Sequence, residues 1–194
     1  RVRRAHVGHQ LRAVGGSLIY FIEQGSEEAV WTAEFAALDD VSGEARNIGL
    51  QTIDHIAQTV SYEEFLSWIL YYVSLFDVTK TAQLQIPDPL GLVQSQAVES
   101  RDRSLRITLN SSIAQQTLSS RFLAKYVGAG VQHLAFSCPD IFAAAEQARA
   151  NGLEMLEISR NYYDDLDARF GLGVELIDRM AALGTLALHD VAER

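Results

Sequence analysis

The sequence is poor in cysteine, the residue that forms disulfides and binds zinc in cysteine-rich sites. Its 194 residues contain one cysteine, Cys138, which excludes an internal disulfide and cysteine-rich zinc sites. It has 16 basic against 25 acidic residues, and the net charge of -9 disfavours binding to nucleic acid or to an anionic membrane surface. The longest apolar run, residues 65–76, is too short to span a bilayer. We therefore expect a cytoplasmic protein that binds neither nucleic acid nor membrane.

The most informative feature that is present is a repeat. Residues 53–60 (IDHIAQTV) and 131–138 (VQHLAFSC) both follow a glycine, and each has a histidine at its third position. Both segments read as strands that run into a helix, which indicates two equivalent modules. Alternation along a strand places small residues beside His55 and His133 on one face. A single strand histidine is more often a core or edge residue, but two at equivalent positions favour a metal site.

The periodicity of the sequence also predicts the order of helices and strands. A strand at residues 51–60 leads through a capping box, Ser61 and Glu64, into a helix that ends near Ser74. The other predicted strands are residues 78–86, 91–99, 104–110, 131–138, 153–158 and 185–191. The other predicted helices are residues 115–126, 139–150, 161–170 and 174–183. The first module is therefore β-α-β-β-β, and the second begins in the same way.

The N-terminal region predicts a hairpin outside these modules. Residues 17–23 and 29–35 read as two apolar strands, joined by a turn at Gly25 and Ser26. No partner strand is predicted before them. The hairpin is therefore interpreted as part of a sheet that belongs to an upstream domain.

These patterns predict three regions. Residues 1–38 are the hairpin remnant of an upstream domain, residues 39–48 are a linker, and residues 49–194 are the main domain. By the pattern of the first module, a further strand should follow residues 185–191. We therefore expect a domain without its last strand, whose open sheet edge favours a homo-oligomer.

Four segments, IDHIAQTV, GVQHLAFSC, SLRITLNSS and SRNYYDDLDARF, resemble the C-terminal domain of the 4-hydroxyphenylpyruvate dioxygenase family. That family belongs to the vicinal oxygen chelate superfamily, which is built from β-α-β-β-β modules. The N-terminal GGSLIYFIE resembles the last part of the enzyme's first domain, so the resemblance is colinear over most of residues 11–186. The sequence is also similar to the dioxygenase-like half of bacterial fusion proteins whose other half is a 3-dehydroshikimate dehydratase barrel.

The resemblance implies an α+β fold in which paired β-α-β-β-β modules form an incomplete, open barrel. It implies Fe(II), or another divalent metal, held by His55, His133 and a glutamate on a final strand that is not matched here. It also implies a small-molecule 2-oxo acid and dioxygen as substrates. The activity expected from the family is the conversion of 4-hydroxyphenylpyruvate to homogentisate in tyrosine catabolism.

The resemblance implies substrate contacts as well. Ser95, Asn110 and Gln132 align with family positions that contact the oxo acid or its phenol ring. Because Gln132 adjoins His133 in a strand, a bulge or twist is needed to bring both side chains to one face. Leu118 stands where the family has a glutamine, which weakens the hydroxyphenylpyruvate interpretation. Ser95 and Asn110 also fit ordinary roles in a sheet and a turn.

Three functional hypotheses stay open from the sequence. The first is an iron-dependent dioxygenase of aromatic amino acid catabolism. The second is a non-catalytic or accessory domain of a 3-dehydroshikimate dehydratase fusion, and the third is an inactive truncated product. A second pair of histidines, His6 and His9 in the segment HVGH, is a weaker metal-site candidate because it lies near a terminus.

Overall fold

A computed structural model of the chain describes residues 10–23, 25, 27–36, 47–88 and 90–185. The chain divides into two compact units, of which the first comprises Arg1–Val41 and Ile53–Phe136, and the second Ser42–Thr52 and Ser137–Arg194. The boundaries of the three regions inferred from the sequence stay a prediction. Within the described ranges, no helix is long and apolar enough to cross a membrane.

The first unit holds the strands of the described residues. They are β1 (Gln10–Arg12), β2 (Leu18–Tyr20), β3 (Ile53–Thr59), β4 (Val78–Lys80), β5 (Leu84–Asp88), β6 (Gly91–Ser100), β7 (Arg106–Ser111) and β8 (Gly130–Phe136). Its helices are α1 (Glu27–Glu34), α2 (Phe65–Leu75) and α3 (Leu118–Tyr126). The helices of the second unit are α4 (Ile141–Ala150), α5 (Arg160–Phe170) and α6 (Val174–Leu183).

The central sheet has the strand order β4-β6-β7-β3-β8, and β5 also pairs with β6. β3 and β7 run parallel, whereas the other pairs are antiparallel. A parallel pair needs a crossover, which here includes α2 and the strands β4 to β6. Among the described residues this sheet does not close into a barrel.

Helix α2 covers one face of the central sheet. Its residues Phe65, Ile69 and Tyr72 are buried against the apolar side chains of β6 and β7, among them Ile107 and Leu109. Burial raises the pKa of Tyr72 above its ordinary value, so its hydroxyl stays a donor. Because α2 packs against the face that contains Ile107 and Leu109, the alternate residues of these strands lie on the opposite face. That opposite face carries the histidines.

The predicted strand at residues 78–86 is broken in two. β4 and β5 both pair with β6, and residues 81–83 separate them. At the break, the side-chain amide of Gln96 donates a 2.7 Å hydrogen bond to the carbonyl oxygen of Thr81. The side chain of Gln96 thus pairs with a backbone carbonyl group at the point where the regular strand ladder is interrupted. The hydrophobic pattern of the sequence does not reveal this interruption.

The predicted N-terminal hairpin is wrong. Residues 29–35 lie mostly in helix α1, and the partner of β2 is β1, which precedes it in the chain. The rings of Trp31, in the helix, and Phe35, just after it, lie one helical turn apart, with their centres 5.2 Å from each other and their planes tilted by 40°. Four residues of strand would separate them by about 13 Å. The i, i+4 aromatic pair therefore favours the helix.

The helical predictions for the second unit are confirmed. α5 and α6 match the predicted helices, and each ends at a glycine in the left-handed region, Gly171 and Gly184. α4 begins after Asp140, whose carboxylate caps it by accepting hydrogen bonds from the backbone N–H groups of Phe142 and Ala143.

The strand predicted at residues 153–158 is wrong. These residues have no regular structure, because no described strand lies beside them to complete a backbone ladder. Two other predictions cannot be compared with the structure. Most of the linker at residues 39–48, and all but Thr185 of the strand at residues 185–191, lie outside the described residues.

Candidate functional site

The two repeated histidines lie on neighbouring antiparallel strands. In the register of β3 and β8, His55 pairs with Ala135, and Ala57 pairs with His133. Directly paired residues share a face, so both imidazoles lie diagonally on the same side of the sheet. Their ring centres are 5.6 Å apart and their planes are inclined at 76°. The fold therefore brings together the two residues that the repeat indicated.

The spacing of this pair and the lowered pKa of His133 suit a shared metal ion. With metal–nitrogen bonds of about 2.1 Å, two imidazoles on one metal have ring centres roughly 4.5 to 6.5 Å apart. The 5.6 Å separation falls within that range. Partial burial, and then the neighbouring His55, hold the pKa of His133 below its ordinary value. The neutral imidazole that results is the form that binds a metal.

A network of charged groups adjoins His55. The Nδ1 atom of His55 lies 2.7 Å from Oδ2 of Asp54. Arg106 on β7 lies 3.7 Å from the same carboxylate oxygen, and its other nitrogens contact Oε2 of Glu99 on β6 at 3.0 and 3.1 Å. One imidazole of the pair is thus linked through three further residues to two neighbouring strands.

A row of small polar residues crosses the same face. Ser95 pairs with Asn110, and Asn110 pairs with Thr59, which is on the histidine side of β3. Their exposed fractions are 5%, 8% and 0%. The Oγ1 atom of Thr59 and the Oδ1 atom of Asn110 have no hydrogen-bond partner within the described part of the chain. Because buried unpaired polar atoms are costly, this row suits a polar ligand that would pair with them.

Gln132 is the extra residue of a bulge in β8. The register steps from Ala57 opposite His133 to Gln58 opposite Val131, so Gln132 has no partner residue on β3. This is the irregularity that a shared face for Gln132 and His133 requires. Leu118 begins helix α3, where 57% of its surface is exposed and its backbone N–H donates to Asp88 Oδ2.

The face presents two imidazoles, and the described residues contain no cluster of three or more His, Cys, Asp or Glu side chains that could hold a metal. Sequence reasoning missed the roles of Asp54 and Arg106 at this site. The dipeptide Asp54-His55 was a visible signal, but alternation places adjacent side chains on opposite faces. Only the sheet register brings Arg106 to the same carboxylate.

Comparison with known sequences supports the resemblance. No protein-family model matches the sequence. The chain is 43% identical over 182 residues to a 3-dehydroshikimate dehydratase of Pseudomonas aeruginosa, covering 93% of this chain and 28% of that protein. It is 25% identical over 176 residues to a 4-hydroxyphenylpyruvate dioxygenase of Pseudomonas aeruginosa, covering 91% of this chain and 49% of that enzyme. The chain thus spans only about a quarter to a half of the length of these curated relatives.

Solved structures agree with the sequence relatives. A xylose isomerase-like TIM barrel/4-hydroxyphenylpyruvate dioxygenase fusion protein matches with a TM-score of 0.68 and 36% identity, over 94% of this chain and 28% of that one. A variant 4-hydroxymandelate synthase from Streptomyces coelicolor matches in fold with a TM-score of 0.63 and 23% identity, over 73% of this chain and 41% of that one.

These matches confirm the predicted α+β fold of the vicinal oxygen chelate class. Within that class, the chain is homologous to part of the 3-dehydroshikimate dehydratases and to part of the 4-hydroxyphenylpyruvate dioxygenases.

Proposed function

We propose that the histidine face of the central sheet binds a divalent metal, Fe(II) in the first instance, and that the protein oxidises a small 2-oxo acid. The observation that carries this proposal is the convergence of two imidazoles, 5.6 Å apart, on one polar face. Imidazole ligands suit iron, and two histidines with one carboxylate form the site that oxygen-activating Fe(II) enzymes use. The family resemblance points to the same metal.

Each part of the face has a separate task in this proposal. His55 and His133 hold the metal, and we propose that the carboxylate ligand lies outside the described residues. The unpaired oxygens of Thr59 and Asn110, together with Ser95, orient the polar groups of the substrate. Bound Fe(II) would supply the oxidising chemistry with dioxygen.

Metal titration of the intact protein tests the assignment. After the protein is freed of metal, Co(II) is added without oxygen, and binding is followed by calorimetry and by the visible absorption of the ion. We expect His55→Ala and His133→Ala each to weaken binding at least tenfold, because each removes a ligand. The double variant His6→Ala/His9→Ala is the matched control, since it removes the two histidines of the segment HVGH and should bind as the parent protein does. Equal binding by all variants would refute the metal site.

The substrate is a second, separable question. For 4-hydroxyphenylpyruvate as the substrate, we expect oxygen consumption by the Fe(II)-loaded protein, measured with an oxygen electrode, and loss of that consumption in His133→Ala. Binding of Fe(II) without oxygen consumption would leave the metal site intact and exclude this substrate.

A second candidate function is an accessory role beside a 3-dehydroshikimate dehydratase. It is favoured by the 43% identity over 93% of this chain to a dehydratase of which the chain spans 28%, and by Leu118 in place of the family glutamine. In this case, a full-length protein that contains this chain dehydrates 3-dehydroshikimate. The substitution His133→Ala in that protein leaves the rate of dehydration unchanged. A full-length protein without dehydratase activity would exclude this candidate.

A further inference from the structure

We propose that Asp54 is a positioning residue that fixes the imidazole of His55 with Nε2 as its metal-binding atom. The inference deepens the proposed function, since it concerns how one ligand of that metal site is presented. It stands on the hydrogen bond between Asp54 and His55, on the bulge that makes the bond geometrically accessible, and on the arginine that holds the carboxylate.

The hydrogen bond assigns the ring nitrogens. Oδ2 of Asp54 lies 2.7 Å from Nδ1 of His55. An ionised carboxylate only accepts hydrogen bonds, so Nδ1 must carry the proton and donate it. In the neutral ring, Nε2 then keeps its lone pair for a metal. Metal-bound histidines commonly donate their second nitrogen in this way, which fixes both the tautomer and the ring orientation.

A bulge in β3 accounts for how Asp54 reaches its own neighbour. In a regular strand, adjacent side chains point to opposite faces, and the carboxylate would turn away from the imidazole. The register instead steps from Ile53 opposite Phe136 to His55 opposite Ala135, so Asp54 is an extra residue without a partner on β8. Bulges re-aim side chains, and they are frequent next to active sites.

The carboxylate also lies within ion-pair distance of an arginine on the neighbouring strand β7. Arg106 lies 3.7 Å from Oδ2 of Asp54, and its own position is set by contacts of 3.0 and 3.1 Å with Glu99. The side chains of Asp54 and Arg106 are 45% and 33% exposed. Ion pairs that are this accessible to water contribute little to the free energy of folding. Orientation of His55 is therefore the larger role for this network.

The test reads the tautomer of His55 in the intact, metal-free protein. Histidine is labelled with ¹⁵N, and long-range ¹H–¹⁵N spectra separate the two neutral forms, with His55→Gln identifying the resonances. We expect the Nδ1-protonated form in the parent protein. Asp54→Ala should shift His55 to the Nε2-protonated form, whereas the His133 signals stay unchanged. Asp54→Asn should keep the parent tautomer, because the amide oxygen still accepts from Nδ1.

Metal affinity is the second readout. We expect Asp54→Ala to weaken Co(II) binding about 10- to 100-fold, and Asp54→Asn to weaken it less. Asp178→Asn is the matched control, since it removes the carboxylate of another exposed arginine pair, Arg160–Asp178, and should leave affinity and tautomer unchanged.

The outcomes separate this inference from the proposed function. An Nε2-protonated His55 in the parent protein overturns the inference without any variant. An unchanged tautomer of His55 in Asp54→Ala also overturns the inference. Asp54 would then only form an exposed ion pair with Arg106. If the parent protein binds no Co(II), the proposed metal site fails, while the tautomer still tests the role of Asp54.

Discussion

The unpaired hydroxyl of Thr59 leads to a prediction of unusual sign. Thr59 is 0% exposed, and its Oγ1 atom has no hydrogen-bond partner in the described ranges. Thr59→Val replaces that hydroxyl by a methyl group of similar size and keeps the β-branched side chain that suits a strand. An unsatisfied buried polar group costs about 1 to 3 kcal/mol. We therefore expect the free energy of unfolding to rise by about 1 kcal/mol, or the Tm by about 2 to 4 °C.

Thr117 provides a control with the same chemistry and the opposite expectation. It is also 0% exposed, but its Oγ1 atom caps helix α3 by accepting from the N–H of Ser120 at 3.3 Å, and it donates to the carbonyl oxygen of Ala114 at 3.1 Å. Thr117→Val should therefore lower the free energy of unfolding by about 1 to 2 kcal/mol.

Urea denaturation of the ligand-free protein measures both substitutions. The reasoning is refuted if Thr59→Val is destabilised as much as Thr117→Val, since the hydroxyl of Thr59 would then have a partner in the folded protein. Under the proposed function, Thr59→Val should also weaken binding of 4-hydroxyphenylpyruvate as a probe. If the hydroxyl of Thr59 binds the ligand, Thr59→Val should raise the stability of the fold and lower the affinity for 4-hydroxyphenylpyruvate.

Three further predictions concern the first unit. Tyr72→Phe removes the donor of a buried 2.8 Å hydrogen bond to Gln58, and urea denaturation should show a loss of about 1 to 3 kcal/mol; an unchanged midpoint would contradict the buried pairing. Gly15→Ala should be more destabilising than Gly16→Ala. Both glycines have positive φ, but a Cβ atom at Gly15 would lie 1.8 Å from a backbone carbonyl oxygen, and nothing lies within 4 Å of one at Gly16; equal thermal midpoints would argue against the close approach. Hydrogen bonds to the Asp102 carboxylate lower its pKa to about 2, so its contribution to stability is present above its ordinary pKa, near 3.8, and is lost as the pH falls towards 2. Asp102→Asn should therefore be less stable than the parent protein at pH 5 and equally stable near pH 2, and a difference that persists at pH 2 would show that the charge is not the cause.

Much of the site was predictable because the histidines lie in repeated local patterns. The segments around His55 and His133 each have the period of a strand, and their similarity predicts equivalent positions in the fold. The position of Gln132 needed a bulge, which the structure contains. The buried state of Thr59 and the approach of Arg106 to Asp54 were not predictable, because both depend on pairing between β3 and β7, strands that are distant in sequence.

The failures in the fold have a similar cause. Residues 29–35 contain β-branched and aromatic residues that read as a strand, but the contact of Trp31 with Phe35 is made only in a helix. Residues 153–158 are rich in apolar side chains, but no strand lies beside them among the described residues. A strand is defined by its partner, whereas a helix satisfies its own backbone, and local patterns therefore predict α5 and α6 more securely than any single strand.

The sequence by itself determined the helices α2, α5 and α6 and the two strands that carry histidines, because each follows from side-chain patterns within a short segment. Tertiary structure alone decided the diagonal register that places two imidazoles 5.6 Å apart, and the bulges at Asp54 and Gln132 that re-aim their neighbours. The physical reason is that register depends on hydrogen bonds and packing between segments far apart in the chain. A shift of one residue there would turn the histidines to the opposite face.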